Sequence, residues 1–294
     1  MKSSILKTLE NLKLTSNKTR KLFSSRTRDV DNLKVWKDEV SGVIFIDDYY
    51  TGDESYISGS YRDDRSILSQ TGKSSFEEDN DATRRFKTNL KFASGKKIAD
   101  FGCGNGKFLR LIDPYCKSSI GIELQQNYLD ELNADKIKCV NDLQIVNNNS
   151  LDVCFSFHVI EHLPDPIKTL TILKNKLVKG GKLVIEVPHA NDFLLKTISN
   201  KDFKNFTLWS QHLIMHTRES LYRFLQFVGF EKINITGVQR YPLSNHLNWL
   251  VNGRPGGHKS PLSIIDSNIL NKEYENSLAR IDATDTLVAL AITP

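Results

Sequence analysis

Residues 98–112 read IADFGCGNGKFLRLI, and this stretch decides the fold because three glycines follow a short apolar run within five positions. The apolar run predicts a buried strand, and GKFLRLI has the spacing of a helix. Glycine adopts backbone angles closed to other residues and lets a ligand approach the main chain. Gly102, Gly104 and Gly106 therefore predict a ligand-binding turn after a first strand, where open α/β sheets bind nucleotides. Lys107 stands where the dinucleotide fingerprint G-x-G-x-x-G has its third glycine, which disfavours a dinucleotide.

Strand-like and helix-like segments alternate regularly after residue 95, which predicts a parallel sheet with helices on both faces. The predicted fold class is α/β, a Rossmann-like three-layer sandwich. The strand segments are 97–101, 118–122, 137–140, 151–157 and 182–188, the helical segments are 125–133, 165–178 and 217–230, and two further strands lie near 231–236 and 285–292.

The spacing D-x-G-x-G-x-G over residues 100–106 resembles the signature of class I S-adenosylmethionine-dependent methyltransferases. The run SLDVCFSFHVIEHLPDPIKTLTILKNKLVKGGKLVIEVPH, residues 150–189, is similar to the fourth strand, helix and fifth strand of that family. The resemblance covers residues 95–240. It implies an enzyme that uses S-adenosyl-L-methionine, built on a seven-stranded, mostly parallel sheet whose last strand is antiparallel.

The resemblance also implies which residues bind the cofactor. Glu123, in GIEL, occupies the position whose acidic side chain binds the ribose hydroxyls in that family, and Asp142 the position that meets the adenine amino group. A solvated acid is the alternative interpretation of either residue. Phe157 and His158 border the methionine end. The complete set assigned to the cofactor is Asp100, Gly102, Gly104, Gly106, Glu123, Asp142, Phe157 and His158.

Two regions are predicted along the chain. Residues 1–94 form an N-terminal extension with a basic helix, a tyrosine-rich segment and a helix that leads into the core. Residues 95–294 form the methyltransferase domain, with an insertion over 242–282 between its last two strands. Long loops in compact domains are usually functional, so we expect this insertion to shape the acceptor pocket.

The charge distribution disfavours a nucleic-acid substrate. The chain has a net charge of +5, and residues 1–39 hold ten Lys or Arg against five Asp or Glu, which accounts for the whole excess. A nucleic-acid enzyme usually carries its basic surface beside the active site. The basic stretch is therefore interpreted as a solvated or docking helix, and no nucleic-acid partner is expected.

Composition also bears on location. No apolar run approaches the ~18 residues of a membrane-spanning helix, and the N-terminal residues do not resemble a secretory signal. The four cysteines show no CxxC pair and no zinc spacing, which fits reduced thiols in a cytoplasm. We expect a cytoplasmic protein without a membrane span and without a bound metal ion.

The segment QRYPLSNHLNWLVNGRPGGHKSP, residues 239–261, resembles methyltransferases encoded with bacterial surface-polysaccharide genes. Two glycines lie between Arg254 and His258, and their backbone amides could face a phosphate or a sugar diphosphate. Asn245 and His246 offer polar contacts for sugar hydroxyls. An exposed turn and ordinary helix-surface residues are the alternatives.

Four of the nine tyrosines lie within residues 49–61. Tyr56 and Tyr61 are predicted to contact the acceptor, either as a lid whose rings face the sulfonium or by stacking on a sugar. Packing of the N-terminal arm against the sheet is the alternative.

Methyl transfer from a sulfonium is an in-line displacement, so positioning supplies much of its acceleration. A neutral hydroxyl acceptor benefits from a general base, usually a histidine, whereas an anionic phosphoryl oxygen needs none. The candidates for a base, in order, are His212, His158 and His189. His162 is interpreted as packing at the start of a helix.

The sequence therefore predicts O-methylation of a small-molecule acceptor, a sugar, sugar nucleotide or phosphoryl-linked group, in bacterial surface polysaccharide biosynthesis. A sugar C-methyltransferase is one alternative. Many of those carry an N-terminal cysteine-rich zinc module, and no cysteine precedes Cys103 here. The other alternative is a non-catalytic scaffold that binds S-adenosylmethionine. A scaffold has no need of an acid for the ribose, which favours the enzyme.

Overall fold

The computed structural model describes residues 5–59 and 75–294. Within them the strands are β1 (Arg20–Ser24), β2 (Val35–Asp38), β3 (Ile44–Ile46), β4 (Lys97–Phe101), β5 (Ser118–Ile122), β6 (Cys139–Val140), β7 (Leu151–Phe157), β8 (Leu177–Pro188), β9 (Ile214–Met215), β10 (Glu231–Val238) and β11 (Thr286–Ile292). The α-helices are α1 (Ile5–Asn11), α2 (Asp53–Ser58), α3 (Ser75–Ala93), α4 (Lys107–Ile112), α5 (Gln126–Ala134), α6 (Pro166–Lys176), α7 (Lys201–Thr207), α8 (Arg218–Val228), α9 (Leu243–Asn252) and α10 (Asn268–Arg280).

The main sheet has seven strands in the order β10-β11-β8-β7-β4-β5-β6. The pairs β4–β5, β4–β7, β5–β6 and β7–β8 are parallel. The last strand, β11, lies between β8 and β10 and is antiparallel to both. The predicted α/β sandwich with an antiparallel last strand is confirmed.

Apolar side chains on both faces of the sheet hold the layers together. Along β7, Val153 and Phe155 belong to one buried cluster, whereas Cys154 belongs to the other, as the alternation of a strand requires. Phe108 of α4 packs in the first cluster, and Phe224 of α8 packs in the second. Because β4 and β7 run parallel, the carboxyl ends of these central strands lie at the same edge of the sheet.

The N-terminal residues form a second, smaller sheet where a basic helix was predicted. Strands β1, β2 and β3 pair antiparallel, and β3 pairs with β9, which follows α7 in the chain. Among the described residues before residue 39, α1, over Ile5–Asn11, is the one helix. Beyond α1, the prediction of a basic helix is wrong, because Val35 and Ile44 are buried against residues far along the chain. Tertiary packing of β-branched residues therefore outweighs the helical composition.

The insertion predicted over residues 242–282 lies between β10 and β11. It contains α9 and α10, joined by two short 3₁₀ turns. Trp249 of α9 is buried and contacts the ring of Phe203 in α7 at 5.3 Å. In the described part of the chain, no helix has both the length and the apolar character that a membrane crossing requires.

The small sheet shares its core with the main sheet, so the two should unfold together. Phe45 is fully buried in a cluster that also holds residues of the main sheet. We expect Phe45→Ala to lower the free energy of unfolding by about 3–5 kcal/mol. Tryptophan fluorescence and far-ultraviolet circular dichroism should report a single urea transition.

Leu22→Ala is the matched control, because Leu22 of β1 is 53% exposed and its loss should change stability by less than about 0.5 kcal/mol. Two separate transitions would contradict the shared core.

Candidate functional site

The predicted glycine turn lies directly after β4. We call residues 102–106 the glycine loop. Its three glycines have φ angles of 76°, 56° and 70°, the left-handed region that glycine adopts at little cost. The backbone amides of Gly102 and Cys103 donate to the carbonyl of Ile122 at 2.8 and 3.2 Å. These bonds tie the loop to the end of β5 and fix its mouth.

Glu123 fixes the opposite side of that mouth. Its Oε2 accepts from the amide of Gly104 at 2.7 Å. Its Oε1 accepts from the amides of Leu124 and Gln125 at 2.8 and 2.9 Å. An ionised carboxylate has about four acceptor positions, so it can also accept from the hydroxyls of a ligand.

Of the other predicted cofactor residues, Asp142 and Phe157 line the cavity, whereas Gly106 does not. Asp142 is exposed at the edge of the cavity, and its Oδ1 accepts from the amide of Gln144 at 2.8 Å. Phe157 ends β7, and the guanidinium carbon of Arg85 lies 4.6 Å from its ring centroid. Gly106 is not among the described residues that line the cavity. It precedes α4, so its role is structural.

Asp100 is buried at the end of β4, beneath the glycine loop. Burial raises its pKa to about 7, the nearby charge of Glu123 adds to this, and the charge of Arg85 opposes it. A cation bound beside Asp100 would favour the ionised carboxylate and lower this pKa.

His158 directly follows β7 and lies between two buried carboxylates. Its φ angle of 56° places a non-glycine residue in the left-handed region, a strained conformation that is typical of functional sites. Its Nδ1 lies 3.2 Å from Glu161 Oε1, and its Nε2 lies 3.3 Å from Glu186 Oε1. Burial alone would lower the pKa of His158, but these two carboxylates raise it above the ordinary value.

Glu186, on β8, is neutralised by the long helix α3. Arg84 Nη2 donates to both carboxylate oxygens at 2.9 and 3.0 Å, and Arg85 Nε donates at 3.1 Å. Burial would raise the pKa of Glu186, but the two arginines hold it well below its usual range. The ion pairs fix α3 against the carboxyl end of β8.

A second buried ion pair connects α3 to the residue pair that precedes the insertion, Arg240 and Tyr241. Arg240 follows β10, and its Nε donates to Asp81 Oδ2 at 3.0 Å. The amides of Arg240 and Tyr241 donate to Asp285 Oδ2 at 2.9 and 3.2 Å. Three distant segments therefore meet at one wall of the cavity.

Glu161, His162 and His212 form what we call the Glu–His–His cluster. One donor atom from each residue lies within 4.8 Å of the other two. Burial would raise the pKa of Glu161, but the hydrogen bond from His158 and the charge of His162 lower it to about 2. Burial, with the charge of His162, lowers the pKa of His212 to about 3. At neutral pH the carboxylate is therefore ionised and the His212 ring is neutral.

A cavity of about 1380 Å³ connects these groups. The glycine loop, Glu123 and Asp142 line the part of it that we call the cofactor end. The Glu–His–His cluster also lines the cavity. The part that we call the acceptor chamber is lined by Phe203, Phe206, Tyr241, Asn245, His246, Trp249 and Lys259.

The cavity receives some of the predicted acceptor residues. Tyr56, of α2, lines it, and its hydroxyl donates to Gln211 Oε1 at 2.6 Å. Asn245 and His246 also line it, and the His246 ring is stacked on Phe193 with a centroid distance of 6.0 Å. Tyr61 lies outside the described residues.

The predicted anion loop is a structural turn, so its interpretation as a phosphate site is wrong. The amides of Gly256 and Gly257 donate to Asn245 Oδ1 at 2.8 and 3.3 Å. Among the described residues that line the cavity, neither Arg254 nor His258 appears. Arg254 is exposed, and the His258 ring packs 5.9 Å from that of Tyr241. Lys259 is the residue of this segment that lines the cavity with a cationic side chain.

The three histidines proposed as bases occupy different environments. All three line the cavity. His189 is fully buried, and its Nδ1 bonds the carbonyl of Thr284 at 2.9 Å. Burial lowers its pKa to about 4. A base with a pKa of 3 or 4 is weak near neutral pH, so the electrostatics do not favour His212 or His189 as free bases.

Sequence reasoning missed several groups in this site. Glu186 was only part of a strand segment, and His162 was interpreted as packing. Arg240 and Asp81 were not singled out. An acid inside the buried run KLVIEVP was the available signal, because a buried carboxylate requires a partner.

Comparison with known proteins identifies the family. The methyltransferase domain family model matches residues 77–235. The chain is 27% identical over 198 residues to a tRNA U34 carboxymethyltransferase of Haemophilus influenzae, covering 62% of this chain and 58% of that protein. It is 37% identical over 103 residues to a tRNA U34 carboxymethyltransferase of Pseudomonas fluorescens, covering 31% and 32%. The chain thus spans less than two thirds of either relative.

The fold is shared with solved structures. A crystal structure of an S-adenosylmethionine-dependent methyltransferase from Archaeoglobus fulgidus superposes with a TM-score of 0.52 at 19% identity. The superposition covers 77% of this chain and 98% of that one. The prediction of a methyltransferase domain is confirmed by the family model, and the predicted fold is confirmed by this superposition.

The buried Asp100 predicts a pH-dependent stability. In the unfolded chain its pKa is the ordinary 3.8, and in the folded protein it is about 7. Between these values the unfolded state loses a proton that the folded state keeps, so the free energy of unfolding falls as pH rises through this window. Asparagine does not ionise. The stability of Asp100→Asn relative to the parent should therefore increase up to pH ~7 and then stay constant.

Urea unfolding at one-unit steps between about pH 5 and 8 measures this difference. Parallel stability profiles for the variant and the parent would contradict it.

Proposed function

This chain belongs to the methyltransferase domain family, and we propose that it transfers a methyl group from S-adenosylmethionine to an oxygen of a small polar acceptor. The proposed acceptor is a sugar, a sugar nucleotide or a phosphoryl-linked group, in bacterial surface polysaccharide biosynthesis. The observation that carries this proposal is the single cavity that joins the glycine loop to the insertion. The four free cysteines support a cytoplasmic location.

The residues around the glycine loop fit the cofactor in charge and position. Bound S-adenosylmethionine supplies a methyl group on a positively charged sulfonium. We assign the ribose hydroxyls to Glu123 and the adenine amino group to Asp142, because both carboxylates line the same end of the cavity. Asp100 lies beneath the loop, where a bound cation would stabilise its ionised form.

The size of the cavity supports two occupants. Small-molecule pockets usually measure about 300–1,000 Å³, and this cavity of about 1380 Å³ exceeds that range. The cofactor end is lined by the glycine loop and two carboxylates, whereas aromatic and polar side chains of other elements line the acceptor chamber. A small acceptor can therefore share the cavity with the cofactor.

The lining of the acceptor chamber suits a polar ring compound. Trp249, Phe203 and Phe206 supply aromatic surface. The ring centroid of Trp249 lies 5.3 Å from that of Phe203 and 5.1 Å from that of Phe206. Binding sites for small molecules typically combine such surface with a few polar groups. Lys259 and Arg28 also line the cavity and would attract a phosphoryl group on the acceptor.

We assign the activation of the acceptor oxygen to His158 and His212, which line the cavity. His158 is held between Glu161 and Glu186 at the end of β7, where the family resemblance places the methionine part of the cofactor. A phosphoryl acceptor, already anionic, needs no proton removal. For a hydroxyl acceptor, the low pKa of His212 requires help beyond a free imidazole.

Modification of tRNA is the second candidate function. The relatives named above are tRNA U34 carboxymethyltransferases, and those names count against the expectation that nucleic acid is not a partner. Lys13, Lys18, Lys21 and Lys34 are exposed on the N-terminal region and could contact phosphates. The acceptor chamber favours the small acceptor, because aromatic and polar side chains line it, whereas these four lysines are not among the described residues that line the cavity.

Glu123→Gln tests the cofactor site. Loss of the charge-assisted hydrogen bonds should weaken S-adenosylmethionine binding by about 1.5–3 kcal/mol, roughly 10- to 150-fold in Kd, measured by calorimetry. Glu131→Gln changes an exposed acid on α5 and should bind as the parent does. Preferential binding of NAD, or unchanged binding by Glu123→Gln, would overturn the assignment.

The acceptor class is tested with methyl-labelled S-adenosylmethionine. One reaction contains nucleotide sugars and sugar phosphates, and a parallel reaction contains unmodified tRNA. We expect the label in the small-molecule fraction, and Lys259→Gln should raise the KM of a phosphorylated acceptor roughly 3- to 10-fold. Arg254→Gln is the matched control, since Arg254 is exposed outside the cavity. Label in the tRNA alone would favour the second candidate.

A further inference from the structure

The Glu–His–His cluster is built by two segments that the backbone holds together. Glu161 and His162 lie in a 3₁₀ turn after β7, and His212 lies in the loop before β9. The amide of Leu213 donates to the carbonyl of Glu161 at 2.9 Å. His162 Nδ1 bonds the carbonyl of Gln211 at 2.8 Å. These two hydrogen bonds hold the 3₁₀ turn and the loop against each other, so the side chains of the cluster are kept close together.

The contact between His162 and Gln211 sets the tautomer of the ring. A carbonyl only accepts hydrogen bonds, so Nδ1 carries the proton, and in the neutral ring Nε2 carries the lone pair. Histidine ligands of metals typically donate their other ring N–H to a backbone carbonyl in this way. Nε2 of His162 lies 3.9 Å from Glu161 Oε1, on the cluster side of the ring.

Two buried polar atoms of the cluster lack hydrogen-bond partners among the described residues. They are Glu161 Oε2 and His212 Nδ1. The Glu161 side chain is 0% exposed, and both residues line the cavity. A buried carboxylate oxygen without a partner is costly, and a bound ion would satisfy it.

From this arrangement we infer that Glu161, His162 and His212 bind a divalent metal ion in the cavity. Two imidazole nitrogens and one carboxylate oxygen are the donor set of Zn²⁺ and of Mn²⁺, Fe²⁺ or Co²⁺ sites with open coordination positions. The open positions would face the cavity. The sequence did not predict this site, because no cysteine or histidine spacing announces it.

The role of the ion in the reaction rests on the proposed function, whereas the binding of the ion does not. It would coordinate an acceptor oxygen and orient it beside the methyl donor, as a metal does when it acts as a template or Lewis acid. An acceptor hydroxyl bound to the ion would lose its proton more readily. With this role for the ion, His212 would act as a metal ligand and would not need to be a strong base.

Metal binding is tested on the full chain without reference to activity. The protein is stripped with a chelator and titrated with Co²⁺, whose visible d–d absorption reports nitrogen and oxygen coordination. Zn²⁺ binding is measured in parallel by calorimetry. We expect one ion per chain, and Glu161→Gln, His162→Ala or His212→Ala should weaken binding by more than about 100-fold, since even outer partners of ligands cost 10- to 100-fold.

His246→Gln is the matched control, because it changes another buried histidine of the same cavity outside the cluster. Its metal affinity should equal that of the parent. Thermal unfolding of each stripped variant shows whether it is folded, and only the parent and His246→Gln should gain Tm on adding Zn²⁺. Full-affinity binding by His212→Ala, or no binding by the parent, would overturn the inference.

The two proposals fail separately. If the parent binds no ion but S-adenosylmethionine binds and methyl transfer proceeds at full rate, the metal inference is wrong and the proposed function stands. If the ion binds through the cluster but no acceptor is methylated, the metal site stands and the proposed function fails.

Discussion

The buried carboxylate of Glu186 is the constraint on which the site depends. It lies on a central strand of the main sheet, where an unpaired charge would be prohibitively costly. Arg84 and Arg85 supply the opposite charge from α3, so this helix must lie across the carboxyl end of the sheet. The helix in turn presents Asp81 to Arg240 of the distant β10 end. One desolvated acid therefore sets the wall of the cavity.

His158 transmits that constraint to the Glu–His–His cluster. It occupies a left-handed backbone conformation that only surrounding contacts can maintain. Its two ring nitrogens lie beside Glu186 and Glu161, so the position of one carboxylate is coupled to that of the other. Glu161 Oε1 is thereby engaged, while Oε2 has no hydrogen-bond partner among the described residues. The strained residue orients the carboxylate rather than merely ending a strand.

Features that depend on neighbouring residues could be predicted from the sequence, whereas contacts between distant residues could not. The glycine loop, the strand–helix alternation and Glu123 are local features, because each depends on residues adjacent in the chain. The N-terminal sheet was missed because β3 pairs with β9, about 170 residues away. The interpretation of the anion loop was wrong because the amides of Gly256 and Gly257 already donate to the side chain of Asn245, eleven residues before Gly256. Side chains that meet only after folding leave no periodic signal.

The same distinction separates the cofactor end of the cavity from the acceptor chamber. The cofactor end is built from backbone turns and strand ends, which the fold supplies wherever the sheet opens. The acceptor chamber is built from α7, α9 and the segments on either side of α9, whose side chains the sheet does not dictate. Specificity for the acceptor is therefore free to vary while cofactor binding is retained. The Glu–His–His cluster joins two segments, with two residues in the 3₁₀ turn after a central strand and one in the loop before β9. An ion held there would couple the position of the acceptor to the frame that positions the methyl donor.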